Sequence, residues 1–274
     1  CPDHFLRTKI RPLILPLEST ADLSDHAEVK NWLSPAFEAY RDMYKDYYDA
    51  CKQDGSPAMR DPNPVILLYP GVGMFGFAKD KQTARVASEF YINAINVMKG
   101  AEAVSEYTAW PRQEAFNIEY WLLEEAKLQR MPKPNALNGK IALVTGSAGG
   151  IGKAIAHKLA EEGACVLLND INRNRLDEAV TEFRKKFGRD KVSAVLLDVT
   201  NEESVQQAFS EMALAFGGID ILVNNAGISI SKSVAEHSLR EWDLLYDILV
   251  KGQFIVSKNA ASVLRSQGMG GDII

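Results

Sequence analysis

The residues best suited to chemistry in this chain are three glycines, Gly146, Gly150 and Gly152, and the acid Asp170. Lacking a Cβ, glycine lets the backbone turn sharply and bring bare N–H groups against an anion. Asp170 follows at roughly 20 residues, the spacing at which a carboxylate accepts from the hydroxyls of an adenosine ribose. A diphosphate on free amides and a sugar on an acid together describe the grip on an adenine dinucleotide. An Asp in that position repels a 2′-phosphate, so NAD is expected over NADP. Each feature also has a plainer reading, a tight strand-to-helix turn for the glycines and a turn-opening Asp for residue 170.

The elements needed to position these residues are legible. Ile141 to Val144 is a short apolar run that reads as a buried strand. It breaks into the glycine turn and then a helix in which Ile151, Ile155 and Leu159 repeat every four positions. The positive end of that helix faces the turn, where a pyrophosphate is favoured. Glu161-Glu-Gly163 closes the helix. Further strands are read at Cys165–Asn169, 192–199 and 219–224, with a last one just begun at 271–274. Between them lie a helix from Asn172 to Gly188 with a basic end (Arg184, Lys185, Lys186), a helix opened by the capping box Thr200–Glu203, and a long helix from Trp242 to about Ser266 opened by Ser238–Glu241. Strands alternating with helices predict an α/β fold with a doubly wound parallel sheet. Its ligand crevice lies beyond the carboxyl ends of the strands, where residues 146–152, Asp170, Asp198 and Asn225–Gly227 gather.

With 46% apolar and 24% charged residues, the 274-residue chain has the composition of a globular protein able to bury a core. Its net charge of −5 and lack of any basic run argue against nucleic acid or an anionic membrane as partner. Three scattered cysteines (Cys1, Cys51, Cys165) fit a reduced, cytoplasmic protein without disulfides. No apolar stretch reaches membrane-spanning length and no signal peptide opens the chain. The start at Cys1 and the stop in a nascent strand are read as those of a fragment.

The region before residue 135 is read as a second α/β domain. Pro2, Pro12 and Pro16 predict an extended opening to residue 16. Glu28 to Lys52 predicts a helix whose aromatics (Trp32, Phe37, Tyr40, Tyr44, Tyr47, Tyr48) form a packing stripe. Val65–Tyr69 is read as a strand and 70–76 as a glycine-bearing loop, a structural turn rather than a second phosphate cradle because Met74, Phe75 and Phe77 crowd it. Helices are expected from about Lys81 to Gly100 and from Pro111 to about Arg130. Met131-Pro-Lys-Pro134 closes the last of these, and a polar linker through Gly139 marks the boundary, giving domains of 1–134 and 138–274.

Two resemblances rest on these residues. Asn93–Glu102 and Glu124–Pro134, with the strand, glycine loop and Ala-rich helix, resemble the C-terminal part of a class II sugar-phosphate aldolase domain. The likeness extends to bifunctional aldolase/short-chain dehydrogenases of the rhamnulose-1-phosphate aldolase/lactaldehyde dehydrogenase type. That family binds zinc through a His-x-His pair and a later His. The pair would lie upstream of Cys1, and the later position here is Tyr69-Pro70-Gly71. A zinc ion is therefore implied only for the full-length aldolase domain, and its ligands stay unassigned. His4, beside Asp3, is read as a substitute ligand or an ordinary polar residue.

Thr145–Gly152, Asp170, Leu197-Asp198-Val199 and Asn224–Gly227 resemble the short-chain dehydrogenase/reductase signature set in order and spacing. By that likeness Gly146, Ser147, Gly150, Ile151 and Gly152 line the pyrophosphate, and Asp170 holds the ribose. Asp198 and Val199 then flank the adenine, and Asn225, Ala226 and Gly227 border the nicotinamide half. The family's catalytic Ser and Tyr-x-x-x-Lys are expected beyond Ile274, so no catalytic residue is assigned here and the isolated fragment is expected to be inactive. The family's Asn in Asn-x-x-Gly-x-Phe is replaced by Leu249, which cannot relay a proton. The resulting expectation is a homo-oligomeric bifunctional enzyme with a sugar-phosphate aldolase and an NAD-dependent dehydrogenase for a small hydroxy-aldehyde or alcohol. The alternatives are a non-catalytic NAD-binding sensor or scaffold, or a polyol dehydrogenase on a degenerate aldolase scaffold.

Overall fold

A computed structural model describes residues 2–16, 22, 25–130 and 132–274. Cys1 and Met131, both used in the sequence reading, lie outside the described residues. The chain divides into two compact units, Cys1–Lys133 and Pro134–Ile274.

The first unit opens with helix α1 (Pro2–Thr8), where an extended segment is expected from the prolines. Pro2 stands at the first helical position, where a missing N–H costs nothing, so the proline marks a start rather than a break. Strand β1 (Leu13–Ile14) follows, then helix α2 (His26–Cys51), capped by the Asp25 side chain on the amides of Ala27 and Glu28. Tyr40, Tyr44, Tyr47 and Cys51 form its buried stripe. Strand β2 (Ile66–Tyr69) pairs parallel with β1 and antiparallel with β3 (Gly73–Gly76), so the expected loop is the second half of a hairpin. The two exposed glycines at its start hid the strand, and the positive φ of Gly71 (81°) makes the turn. Helix α3 (Lys81–Val104) comes next.

The single helix expected over 111–130 is two, α4 (Arg112–Glu119) and α5 (Leu122–Gln129). Tyr120 breaks them (φ −109°, ψ 26°) and is held by its own hydroxyl, which bonds Tyr44 Oη at 2.8 Å and accepts from the Arg60 amide. Tertiary bonds override helix propensity at that residue.

The second unit is a five-stranded parallel sheet in the order β6-β5-β4-β7-β8. Its strands are β4 (Ile141–Val144), β5 (Cys165–Asp170), β6 (Val192–Leu196), β7 (Ile221–Val223) and β8 (Asp272–Ile273). Helices α6 (Gly150–Glu161) and α7 (Arg173–Phe187) cover one face, with Ala156, Ala160, Leu176 and Phe183 on Ala142, Val144, Val166 and Leu168. Helices α8 (Glu202–Phe216), α9 (Leu239–Tyr246) and α10 (Gln253–Gln267) follow in sequence. On the other face, Val205, Phe209, Met212 and Val256 pack on Leu143, Leu167 and Leu222. Strand residues therefore alternate between two cores, as the period of two requires. The chain moves outward from β4 to β6 and then crosses to β7 on the opposite side of β4. That reversal opens a crevice at the strand ends.

Two local expectations change. The cap of α8 is Asn201, whose Oδ1 accepts from Ser204 N at 2.7 Å, not Thr200. Thr200 instead bonds Asp198 Oδ1 through both its amide (2.9 Å) and its hydroxyl (2.7 Å). The long helix is interrupted by a π-helical stretch, Asp247–Gly252, between α9 and α10. The Ser238–Glu241 capping box is present as read.

Candidate functional site

The turn after β4 is held from both sides by asparagines at the ends of neighbouring strands. Asn169, at the end of β5, accepts from Gly146 N at 3.1 Å and donates to Val144 O at 2.6 Å. Its backbone amide donates to Ser147 Oγ (2.9 Å), and its carbonyl accepts from Ser147 N (2.8 Å). From the β7 side, Asn225 Nδ2 donates to Thr145 O at 2.8 Å. The buried Thr145 hydroxyl in turn accepts from the amides of Asn225 (2.8 Å) and Ala226 (2.9 Å). These bonds tie the turn to both neighbouring strands.

Glycine is required at two positions for different reasons. Gly150 has φ +53°, a left-handed backbone that side chains disfavour. Gly152 has no such constraint, but a Cβ there would meet Gly146 O at 2.5 Å and Asn225 Nδ2 at 2.4 Å. The helix packs onto the turn through that glycine. No side chain caps α6 at Gly149, so its opening N–H groups stay available to an anion.

A cleft of about 470 Å³ lies over this turn. Of the eleven residues singled out in the sequence, nine line it: Gly146, Gly150, Ile151, Asp170, Asp198, Val199, Asn225, Ala226 and Gly227. Ser147 and Gly152 do not. Both are buried behind the turn, Ser147 on Asn169 and Gly152 against Gly146. Ile151 is 76% exposed although apolar, and it borders the cleft. Asp170 uses Oδ1 to accept from Asn172 N at 2.9 Å, so the turn-opening role and the cleft-facing role coexist. Its Oδ2 has no partner among the described residues.

An adenine dinucleotide fits this cradle: free helix amides at one point, a half-free carboxylate at the next strand end, and apolar walls from Leu197, Val199, Ile228 and Ile248. The sequence reading missed Arg175, Ile171, Ile228 and Ile248 as lining residues, and Thr145 and Asn169 as the ties beneath. Polar residues ending otherwise apolar strands were the available signal for the last two. Leu249 lies over Gly227, at 3.0 Å from where a Cβ on that glycine would stand.

In the first unit, no group of three His, Cys, Asp or Glu side chains gathers for a metal among the described residues. The His4 and Phe90 rings pack in a T-shaped pair with centroids 5.0 Å apart. The described residues therefore do not bring together a set of zinc ligands. No helix among the described residues is long and apolar enough to cross a membrane.

Residues 1–128 match the family described as aldolase class II, second domain, and residues 140–274 match short chain dehydrogenase. Over its full length the chain is 36% identical to the uncharacterized oxidoreductase YuxG of Bacillus subtilis (strain 168), of which it spans 39%. Its second half, 49% of the chain, is 39% identical to 54% of the 3-oxoacyl-(acyl-carrier-protein) reductase FabG of Aquifex aeolicus (strain VF5). It is also similar to a solved short-chain type dehydrogenase/reductase from Mycobacterium marinum: 36% identity, 50% of this chain, 55% of that one, TM-score 0.48.

Proposed function

From a chain that joins an aldolase class II second domain to a short-chain dehydrogenase domain, we propose that residues 140–274 bind NAD for an oxidoreductase acting on a small hydroxy-aldehyde or alcohol. One observation carries this reading. Nine residues from four separated stretches converge on one cleft at the strand ends. Gly146, Gly150 and Ile151 receive the diphosphate over the free amides of α6, while Ser147 and Gly152 shape the turn from behind. Asp170 takes the adenosine ribose on Oδ2. Asp198 and Val199 flank the adenine, and Asn225, Ala226 and Gly227 border the nicotinamide half. Bound there, the dinucleotide supplies the hydride acceptor or donor.

The aldolase part, in the same reading, cleaves a ketose 1-phosphate of the rhamnulose type and yields the aldehyde that the dehydrogenase part consumes. The whole protein works as a cytoplasmic homo-oligomer. These statements rest on the joined domains and the likeness to longer relatives.

Titration of the 274-residue chain with NADH, followed by nucleotide fluorescence, tests the cleft. Saturable binding that ADP competes away and Gly150→Asp abolishes is expected, since Asp would add backbone strain and a charge against the diphosphate. Binding that survives Gly150→Asp would overturn the assignment.

A second reading, an NAD-binding module without chemistry, is favoured by Leu249 over Gly227, an apolar group where a proton relay is expected. NADH oxidation with lactaldehyde by the full-length protein separates the two. Turnover supports the enzyme, and binding without turnover supports the module.

A further inference from the structure

Strand β6 ends the parallel sheet on one side and pairs with β5 alone among the described residues. Leu197 N donates to Asp170 O at 3.2 Å, so odd-numbered residues of this stretch turn their backbone groups toward β5. By the alternation of a strand, the N–H and C=O groups of Ala194 and Leu196 point away from the sheet. Both residues line a groove of about 650 Å³ shared by that edge and helix α8. Proteins commonly blunt an open edge with a proline or a charge. Strand β6, Val-Ser-Ala-Val-Leu, carries neither. The helix side of the groove is acidic: Glu203 and Glu211 line it with Asp198, against one cation, Arg173. Glu203 has no ion-pair partner among the described residues, although its neighbour Glu202 pairs with Lys258. Glu211 accepts from a neutral amide, Gln207 Nε2, at 2.9 Å.

We infer that this edge is a docking surface for an extended, basic segment of a partner protein, which adds to the sheet beside β6. Spacing sets the sequence it takes. Glu203 and Glu211 are eight residues apart on one helix, a rise of about 12 Å. Side chains four residues apart on a strand are separated by about 13 Å and share a face. Lysine or arginine at positions i and i+4 of the segment therefore meets the two acids, and a small polar residue midway meets Gln207. A second copy of this chain pairing through the same edge would set one acidic groove against another, which like charge opposes. The inference is independent of what the cleft at the strand ends binds.

Titration of the 274-residue chain with the peptide acetyl-Thr-Lys-Val-Thr-Val-Lys-Thr-amide, followed by NMR amide exchange, tests this. Saturable binding is expected, with exchange at the Ala194 and Leu196 amides slowed about tenfold or more. The same peptide with glutamate in place of both lysines binds about tenfold more weakly. Glu203→Lys combined with Glu211→Lys reverses that preference, and neither side chain is buried, so the fold tolerates the exchange. The inference falls if the lysine peptide does not bind at millimolar concentration or binds without protecting the two amides. It falls equally if the charge-exchanged variant binds that peptide as well as the wild type does. Amides protected without peptide and exposed on dilution would also overturn it, since the edge would then belong to a second copy.

Discussion

Two apolar strands in this chain run into glycine-bearing turns, and the turns do opposite things. After β2, Gly71 (φ +81°) and Gly73 (φ +149°) fold the chain back into the antiparallel strand β3, with Leu67 opposite Phe75 and Leu68 opposite Met74. After β4, Gly146 (φ +67°) and Gly150 (φ +53°) carry the chain forward into α6, whose opening amides stay free. The glycines alone do not distinguish the two. What differs is their surroundings. Nothing lies within 4 Å of where a Cβ on Gly71 would stand, whereas backbone and Asn225 crowd Gly152. Gly71 and Gly150 both stand in open space and are needed for their left-handed backbone, whereas Gly152 is needed because a second backbone, at Gly146 O, comes close enough to seat the helix on the turn.

That contrast is sharpest under substitution. Gly152→Val forces a side chain into Gly146 O and Asn225, and is expected to cost about 3 kcal/mol and abolish NADH binding. Urea unfolding and nucleotide fluorescence measure the two effects. Near-wild-type binding would show that α6 need not seat on the turn.

The units differ again in what they bury. The first unit buries Glu119, 1% exposed, which accepts from Tyr44 Oη at 2.5 Å while its second oxygen has no hydrogen-bond partner among the described residues. Burial raises its pKa above the usual 4.5, against the opposing pull of the Tyr44 bond and of Lys9. Stability linked to this acid is full below pH 4.5 and declines as pH rises through the raised value. Lys9, lying over the Tyr44 ring at 3.8 Å, is lowered to about 8 by its own burial. Its contribution is full above its ordinary 10.5 and is lost as pH falls through about 8. Glu119→Gln keeps an acceptor for Tyr44 and removes the ionisation. Stability near pH 7 should rise by about 1 kcal/mol, and the decline above pH 4.5 should flatten, as read by hydrogen exchange at α2 amides. An unchanged pH profile would exonerate Glu119.

The smallest effect completes the comparison. Gly71→Ala meets open space and pays only for its positive φ, about 1 kcal/mol, with NADH affinity unaltered. A larger loss would mean that the hairpin turn is as constrained as the cradle.

The second unit is far more legible in the sequence than the first. Its strands are apolar runs bounded by Gly, Asp and Asn, and parallel strands buried on both faces leave that signature in sequence. The first unit misled where tertiary contacts outweighed local preference. Pro2 opens a helix instead of preventing one, Tyr120 splits a helix to reach Tyr44 and Arg60, and β3 hides behind glycines. Asn201 caps α8 because Asp198 holds Thr200. The π stretch at 247–252 carried no periodic signal. It places Gly252 where a Cβ would meet Val199 Cγ2 at 2.8 Å, a packing demand visible only in three dimensions.

Sequence by itself determined the alternation of strands and helices, the glycine turn and the acid that follows it, because these are local patterns of apolar period and backbone freedom. Only the tertiary structure decided which of those residues face the cleft. Ser147 and Gly152 turn inward to hold the cradle, and Arg175 comes forward beside Asp170. The reason is that facing is set by neighbours: the strand-end asparagines and the cap of α7 fix orientations that no spacing along the chain encodes.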